Sequence, residues 1–185
     1  MMSAPLLLQI ARDSIVEVLE ANRIINKADI LHAHPILNEP LACFVTLYLE
    51  DELRGASGCV RPESSLLDTI IHHAKIAAFQ DPRFTPLSTS EYLHVQIELS
   101  LLTPLHHLTY STLSTLKEQI TPMQDGVYVQ HAQKESAFLP QVWQQLESFE
   151  SFFTYLLKEI DLSPDALPAD LQVYTFQIEK EQDEP

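Results

Sequence analysis

The sequence predicts an α+β fold whose strands are joined by hairpins as well as by helices. Apolar residues alternate with a period of two over residues 42–49 and again over residues 92–101, which is typical of strands. In residues 5–21 and 146–160 they recur every three or four positions, which is typical of amphipathic helices. Because the segments between strands include both short polar turns and whole helices, the order favours α+β over a doubly wound parallel sheet.

The first predicted helix covers residues 5–21 and is followed by a connection. Ser3 is the expected N-cap, and Pro5 falls near the first turn, where proline is tolerated. Residues 22–41 are mixed in character, contain two prolines and are expected to join this helix to the first strand. The apolar face of the helix consists of Leu8, Ala11, Ile15, Val18 and Leu19.

A strand, a turn and a loop are predicted next. Residues 42–49 alternate, with both faces of the strand largely covered, and the polar residues Glu50, Asp51 and Glu52 form a hairpin turn. Residues 53–60 contain two of the three glycines of the chain and are expected to form a loop. Glycine permits backbone conformations closed to other residues and lets another group approach the backbone closely, so this loop is a candidate functional region.

The second predicted helix follows Pro62, and a strand comes after it. Ser65 and Asp68 match a capping box at the start of the helix. Residues 81–91 are expected to form a loop, and residues 92–101 a strand with one buried and one wetter face. The buried face would hold Leu93, Val95, Ile97, Leu99 and Leu101, and the wetter face His94, Gln96, Glu98 and Ser100.

The second half of the sequence continues the mixture of helices and strands. It predicts a short helix at residues 111–119, a turn at 124–126, a strand at 127–131, an aromatic helix at 146–160, a strand at 171–178 and a frayed polar tail at 179–185.

Composition restricts the class of partner and the compartment. Eleven basic and twenty-six acidic residues give the 185-residue chain a net charge of −15, so nucleic acid and anionic membrane surfaces are unlikely partners. No stretch reaches the roughly 20 apolar residues that a membrane helix requires. The opening residues lack the pattern of a signal peptide, and two cysteines do not make a disulfide framework. We therefore expect a cytoplasmic protein.

Four basic residues concentrate around the predicted glycine loop: Arg54, Arg61, Lys75 and Arg83. Arginine forks bind carboxylate and phosphate well, and a glycine loop offers backbone amides, so the cluster could hold a small anion. The alternative is that Arg54 or Arg83 pairs with Asp81, Asp68 or Glu63 and braces the loops. Both interpretations are compatible with the sequence.

Cys59 is a candidate nucleophile because it lies between Arg54 and Arg61 in a chain rich in histidine. A nucleophilic thiol needs a lowered pKa and a base to orient it. The alternative, which we favour, places Cys59 in the core of a strand that begins at Gly58. Cys43 lies in an apolar strand and is expected to pack there.

The sequence predicts neither a metal site nor a cofactor. The histidine pairs lack the spacing of helical zinc ligands, and adjacent histidines on a helix point about 100° apart. Surface positions are therefore expected for all of them. Two cysteines cannot supply the four thiolates of an iron–sulfur cluster. The pairs are His32 and His34, His72 and His73, and His106 and His107.

Several segments resemble the AMMECR domain family in order and spacing, over about Pro5 to Phe176. They are Leu7–Arg12, Leu53–Gly55 with Gly58, Asp81–Phe84 with Pro86 and Leu87, Leu99–Pro104, and Phe138–Trp143. The resemblance implies a single domain over residues 5–178. It also implies an α+β fold of two intertwined subdomains that share a largely antiparallel, barrel-like sheet.

The chain departs from the family pattern inside the glycine loop. The family usually has Leu-Arg-Gly-Cys-Ile-Gly, whereas Ala56 stands here at the cysteine and Ser57 at the isoleucine. Cys59 stands where the family usually has threonine, and Glu135, Ser136 and Ala137 replace its Arg-Gly-Thr. Any activity that depends on the family cysteine cannot be carried over to this chain.

Two functional hypotheses follow. The resemblance favours a binding or accessory module without a cofactor, whose partners would be the Memo-like and radical SAM proteins that accompany the family. The alternative is an enzyme that acts on a small anionic substrate. Phe138 could belong to an apolar wall or a partner surface, and the alternative is that it packs in the core. The candidate binding residues are Arg54, Gly55, Ser57, Gly58, Arg61, Arg83 and Phe138.

Overall fold

The structure, a computed structural model, describes residues 4–182, and the expected N-cap Ser3 lies outside that range. The chain divides into two compact units. Unit 1 holds the chain up to Leu102 together with the segment from Glu179 onward, and unit 2 is the continuous stretch Thr103–Ile178. The polypeptide therefore leaves unit 1, forms unit 2 and returns.

Within residues 4–182 the chain forms α-helices, β-strands and short 3-10 turns. The helices are α1 (Ala4–Leu19), α2 (Lys27–Ala33), α3 (Leu66–Phe79), α4 (Thr89–Tyr92), α5 (Leu113–Lys117) and α6 (Phe149–Lys158). The strands are β1 (Cys43–Leu49), β2 (Glu52–Gly58), β3 (Gln96–Leu102), β4 (His106–His107), β5 (Gly126–His131), β6 (Lys134–Phe138), β7 (Gln172–Phe176) and β8 (Ile178–Gln182). None of these helices combines the length and the apolar character needed to cross a membrane.

The four-stranded sheet of unit 1 has the order β2-β1-β3-β8. Strand β1 is antiparallel to both neighbours, with Val45 opposite Ser57 on one side and Leu99 on the other. Helices α1 and α3 pack on this sheet and enclose the core. Helix α3 begins as predicted, since the Ser65 hydroxyl accepts a hydrogen bond from the amide of Asp68.

The β1–β2 turn is confirmed, but the predicted glycine loop is wrong. Glu50 and Asp51 have positive φ angles of 53° and 64°, as a tight hairpin turn requires. Residues 52–58 then form strand β2, and Gly55 and Gly58 lie inside it. Neither glycine has a positive φ, so the reason for glycine at these positions is packing rather than a turn.

Strand β3 is confirmed in part. It begins at Gln96 and not at Tyr92, because residues up to Tyr92 belong to the short helix α4. Leu93, which was expected to face the core, is 74% exposed. The face expected to be wet is buried at Glu98 and Ser100. Strand β8 explains this burial, since the Lys180 ammonium lies 2.9–3.0 Å from both Glu98 carboxylate oxygens.

Two segments of unit 1 expected to be irregular carry regular structure. The connection 22–41 contains α2, capped by the Asn26 side chain, which accepts from the amides of Ala28 and Asp29. No residue of α2 is buried, so it leaves no apolar stripe in the sequence. Residues 179–182, predicted to belong to a frayed tail, lie in the edge strand β8 (Ile178–Gln182).

Unit 2 has a second sheet of order β4-β7-β5-β6, and the β4–β7, β7–β5 and β5–β6 pairs are antiparallel. The predicted strands at 127–131 and 171–178 and the helices at 111–119 and 146–160 are confirmed as β5, β7, α5 and α6. In the core, the Trp143 ring stacks on Phe152 with centroids 3.7 Å apart.

The α+β class, with antiparallel sheets and flanking helices, is confirmed. The barrel-like sheet that the resemblance implied is not confirmed. Among the described residues, each sheet is an open row of four strands with two edges.

Candidate functional site

The edge strand β2 and the segment after α3 bring together two of the predicted arginines. Arg54 projects from β2, and Arg83 follows α3 by four residues. With Asp81, Phe84 and Glu91 they form what we call the arginine–carboxylate network. All five residues belong to unit 1.

Arg54 is only 8% exposed and is held by Glu91. Its Nε lies 2.8 Å from one Glu91 carboxylate oxygen and an Nη 3.2 Å from the other, which is a bidentate pair. The same Nη donates to the carbonyl oxygen of Thr85 at 2.9 Å. The hydrogen bonds from Arg54, and then those from the Ser88 amide and hydroxyl, lower the pKa of Glu91 to about 2.

Asp81 is the second carboxylate of the network and is 6% exposed. Its oxygens accept from the Arg83 Nε at 2.9 Å, from an Arg83 Nη at 2.6 Å and from the backbone amide of Ala56 at 2.9 Å. The hydrogen bonds from Arg83 hold the pKa of Asp81 well below its usual range, although burial opposes them. Asp81 thus fastens the segment after α3 to the open edge of β2.

Phe84 lies beside both arginines. The guanidinium carbons of Arg54 and Arg83 are 5.8 Å and 5.5 Å from the centre of its ring, within cation–π range. Both guanidinium groups are therefore engaged by carboxylates and an aromatic ring of the same chain. For Arg83 this is the pairing with Asp81 that the bracing hypothesis named. For Arg54 the partner is Glu91, which the sequence analysis did not consider.

The other two residues of the basic cluster lie apart from this network. The Lys75 ammonium is 2.8 Å from a carboxylate oxygen of Glu17, a residue of α1. Arg61 is exposed and lies beyond the end of β2. The structure thus brings together two members of the predicted cluster of four.

Gly55 and Gly58 lie where other parts of unit 1 pack closely against strand β2 and leave no room for a side chain. A Cβ atom at Gly55 would overlap the backbone carbonyl of Ala77 in α3, and one at Gly58 would overlap the ring of Phe44. Close approach to the glycine backbone was expected, and the group that approaches Gly55 is the protein's own helix. These two predicted binding residues therefore have a packing role, whatever else they contribute.

Ser57 contacts His73, which is half-buried and so does not lie at the surface as was expected. Its hydroxyl oxygen lies 2.8 Å from Nδ1 of His73 on α3, and the donor depends on the tautomer of the ring. Burial, and to a smaller degree the neighbouring His72, lower the pKa of His73 to about 4. The position of His73, three residues after Ile70 and four before Ala77, could have placed it on the face of α3 that packs against β2.

The depressed pKa of the half-buried His73 predicts a pH dependence of stability. The folded pKa of His73 is depressed, so its stabilising effect is complete above the unfolded pKa and is lost as the pH falls. Between about pH 6.5 and about pH 4 we expect unit 1 to lose about 1–2 kcal/mol, discounted for the half-buried ring. Chemical denaturation at a series of pH values measures this loss.

His73→Asn is the control, because an amide can keep the hydrogen bond to Ser57 without titrating. From about pH 6.5 to about pH 5 its stability should stay nearly level, and an equal loss in both proteins over that interval would contradict the assignment. Below about pH 5 both proteins should lose stability further, because the unfolded chain then takes up protons on Glu91 and Asp81, whose pKa values are depressed in the folded chain.

Cys59 lies one residue beyond β2 and is half-buried, so the strand that was expected to begin at Gly58 in fact ends there. Its amide donates to the carbonyl oxygen of Cys43. Burial, with the Glu63 carboxylate, raises the pKa of the Cys59 thiol, whereas a nucleophile needs a lowered one. No histidine of the described residues is hydrogen-bonded to this thiol. Cys43 is buried, as expected, and both cysteines are free thiols.

Phe138, the remaining candidate, belongs to unit 2. It packs edge-on against Phe152, with ring centroids 5.4 Å apart, at the margin of the unit 2 core. Trp143 is 2% exposed and its indole donates to the carbonyl oxygen of Asp125 at 2.8 Å. These contacts agree with the core-packing alternative for this aromatic segment.

The paired histidines do not form a larger ligand cluster. His72 is exposed and its ring stands edge-on to His73, while His106 and His107 lie on the exposed two-residue strand β4. Within the part of the chain that the structure describes, no three His, Cys, Asp or Glu side chains come together as metal ligands would.

Comparison with known proteins gives consistent matches over nearly the whole chain. The AMMECR1 family profile matches residues 8–181. Protein MK0488 of Methanopyrus kandleri is 32% identical over 97% of this chain and 88% of its own length. A protein of Thermofilum pendens is 33% identical over 94% of this chain and 86% of its own length. The crystal structure of the uncharacterized protein PH0010 from Pyrococcus horikoshii is similar with a TM-score of 0.84 and 29% identity, covering 97% of this chain and 90% of that one.

Proposed function

The chain belongs to the AMMECR1 family. We propose that this divergent member is a binding or accessory module that works through partner proteins. The observation that carries this proposal is the arginine–carboxylate network. The two arginines best placed to hold an anion, Arg54 and Arg83, each donate two hydrogen bonds to a carboxylate of the same chain.

An anionic substrate that used the donor atoms of Arg54 and Arg83 already bonded within the network would have to displace a carboxylate. For Arg54 that would break a bidentate pair and leave the partly buried Glu91 without its cation. For Arg83 it would remove the main cation from Asp81, whose side chain is 3% exposed. Both displacements are unfavourable, so the network supports a bracing role and weighs against a substrate pocket.

The departures from the family motif support the same proposal. Ala56 and Ser57 stand where the family usually has cysteine and isoleucine, so the thiol of the usual pattern is missing from β2. Cys59 does not replace it, since its thiol has a raised pKa. A module that works by binding does not need that thiol.

The proposed partners come from the family resemblance, which associates such chains with a Memo-like protein and a radical SAM protein. The proposed compartment is the cytoplasm, and the free thiols Cys43 and Cys59 support it because reduced cysteines are usual there. Identification of the partner is the test of the proposal.

Titration of the purified chain with each purified partner from the same source tests this function. We expect one of them to bind with a dissociation constant of about 1 μM or lower, measured by isothermal titration calorimetry. Inorganic phosphate, titrated as the control, should give no saturable heat. Absence of binding to both partners would contradict the proposed function.

The alternative, an enzyme with a small anionic substrate, predicts the opposite pair of results. Phosphate would then bind saturably, and Arg83→Ala would abolish that binding. The Ser57–His73 hydrogen bond is the one observation in favour of chemistry at this strand, since it pairs a hydroxyl with a neutral imidazole.

A further inference from the structure

Unit 2 carries a surface groove that is separate from the arginine–carboxylate network. It consists of two adjoining clefts, of about 540 Å³ and about 410 Å³, which meet at Leu113. We call it the Leu113 groove. The first cleft lies between α5, α6 and the 3-10 turn at Pro164–Ala166, and the second follows residues 107–112 and 167–172.

The floor of the first cleft is apolar. Phe149 and Phe153 are four residues apart on α6, so they share one face of the helix, and their rings stack with centroids 5.2 Å apart. Leu113 and Pro164 complete the floor. The second cleft is mixed, because Leu167 and Leu171 line it together with polar residues such as Ser111 and Gln172.

The rim of the first cleft carries two acidic side chains, Glu150 and Asp165, and one basic side chain, Lys117. The Lys117 ammonium is neutralised by Glu150 at 2.7 Å, and both side chains are more than half exposed. Asp165 stands on the same rim, and its carboxylate pairs with no basic side chain of the described residues. The stretch Thr103–Ile178 contains three lysines, no arginine and nine aspartates or glutamates, a net charge of −6. The field around the groove therefore favours a basic ligand.

The shape favours a chain segment over a compact small molecule. Either cleft alone has the volume of a small-molecule site, but the two share Leu113 as a lining residue, so a chain segment that crosses this residue can occupy both. An extended or helical segment can place apolar side chains in both clefts, with basic side chains against the rim.

From these features we propose that the Leu113 groove binds a segment of a partner protein in which apolar anchor residues stand next to lysine or arginine. This inference rests on the proposed binding function and specifies its surface. The anchors would enter the cleft over Phe149 and Phe153, and a basic side chain would pair with Asp165.

Selection from a random linear peptide library on the purified wild-type chain tests the groove. Enriched peptides should combine apolar anchors with adjacent Lys or Arg. Thr154→Trp, a change at an exposed position lining the first cleft, should weaken their binding at least about tenfold by filling it. Asp165→Lys should weaken it about threefold to tenfold.

Glu159→Lys is the matched control for Asp165→Lys. It reverses an exposed acidic charge at the C-terminal end of α6, nine residues from Glu150 and so on the opposite side of the helix. It should bind the peptides like wild type. Unchanged melting temperatures of all three variants would show that the differences are not due to unfolding.

The partner titration distinguishes failure of the groove from failure of the function. If a partner binds wild type and Thr154→Trp equally well, the groove proposal is overturned and the binding function stands. If no partner binds wild type, the function itself is contradicted. The peptide selection would also overturn the groove proposal if it enriched no peptides or enriched acidic ones. Enriched peptides that bound wild type and Thr154→Trp equally well would overturn it too.

Discussion

Replacing Arg54 with alanine is expected to lower the free energy of unfolding of unit 1 by about 3 kcal/mol, near the lower end for breaking a buried ion pair. The Arg54 side chain is 10% exposed and that of Glu91 is 29% exposed, so the remaining carboxylate would lose its cation in a partly buried site. The Thr85 carbonyl would also lose its donor. Urea denaturation followed by far-UV circular dichroism measures the change.

Lys27→Ala is the matched control, because Lys27 forms an exposed ion pair with Asp68 in the same unit. Its loss should be no more than about 1 kcal/mol. The double variant Arg54→Ala with Glu91→Ala should recover part of the loss, since no unpaired charge is then left. An Arg54→Ala protein as stable as Lys27→Ala, but unable to bind an anion, would make Arg54 a ligand-binding residue instead of a brace.

Gly55→Ala is expected to destabilise unit 1 by about 3 kcal/mol or more, at the upper end for an overpacked core. The added methyl group would overlap the carbonyl oxygen of Ala77, which belongs to the backbone of α3 and cannot rotate away. Strand propensity alone would predict a slight gain, because alanine suits a strand better than glycine. A loss of stability in Gly55→Ala would therefore be caused by the close approach of α3 to β2.

Ala56→Ser provides the comparison for Gly55→Ala. It adds one atom at the next position, which is half-buried and points to the other face of β2. Its stability should stay within about 0.5 kcal/mol of wild type. Equal stabilities of the two variants would mean that α3 can move away from β2, and that the glycine has no packing role.

The elements that could be predicted from sequence are those that bury a regular apolar stripe. Strand β1 and helix α6 have such stripes and were placed correctly. Strand β2 was interpreted as a loop because glycine and polar residues interrupt its alternation. Strand β8 was interpreted as a tail because an edge strand can be almost entirely polar. Helix α2 buries nothing, so periodicity could not reveal it.

The candidate site was predictable only where its partners are close in sequence. Asp81 and Arg83 are two residues apart, and their pairing was among the alternatives considered. Glu91 lies 37 residues after Arg54, and the hairpin that positions Arg54 was not recognised as extending through β2. Long-range contacts of this kind depend on strand register, which a single sequence specifies poorly once glycines interrupt the alternation.

The return of the chain to unit 1 has a consequence for folding during synthesis. Domains usually fold in the order in which they leave the ribosome. Here β3 obtains its neighbour β8 only after the whole of unit 2 has been made, so the contact order of unit 1 is high and closure of its sheet is slow. Until Lys180 emerges, Glu98 lacks its ammonium partner and the edge of β3 is open to incorrect pairing. The four strands of the unit 2 sheet, β4 to β7, are all made before β8, so unit 2 can complete its sheet before unit 1 does.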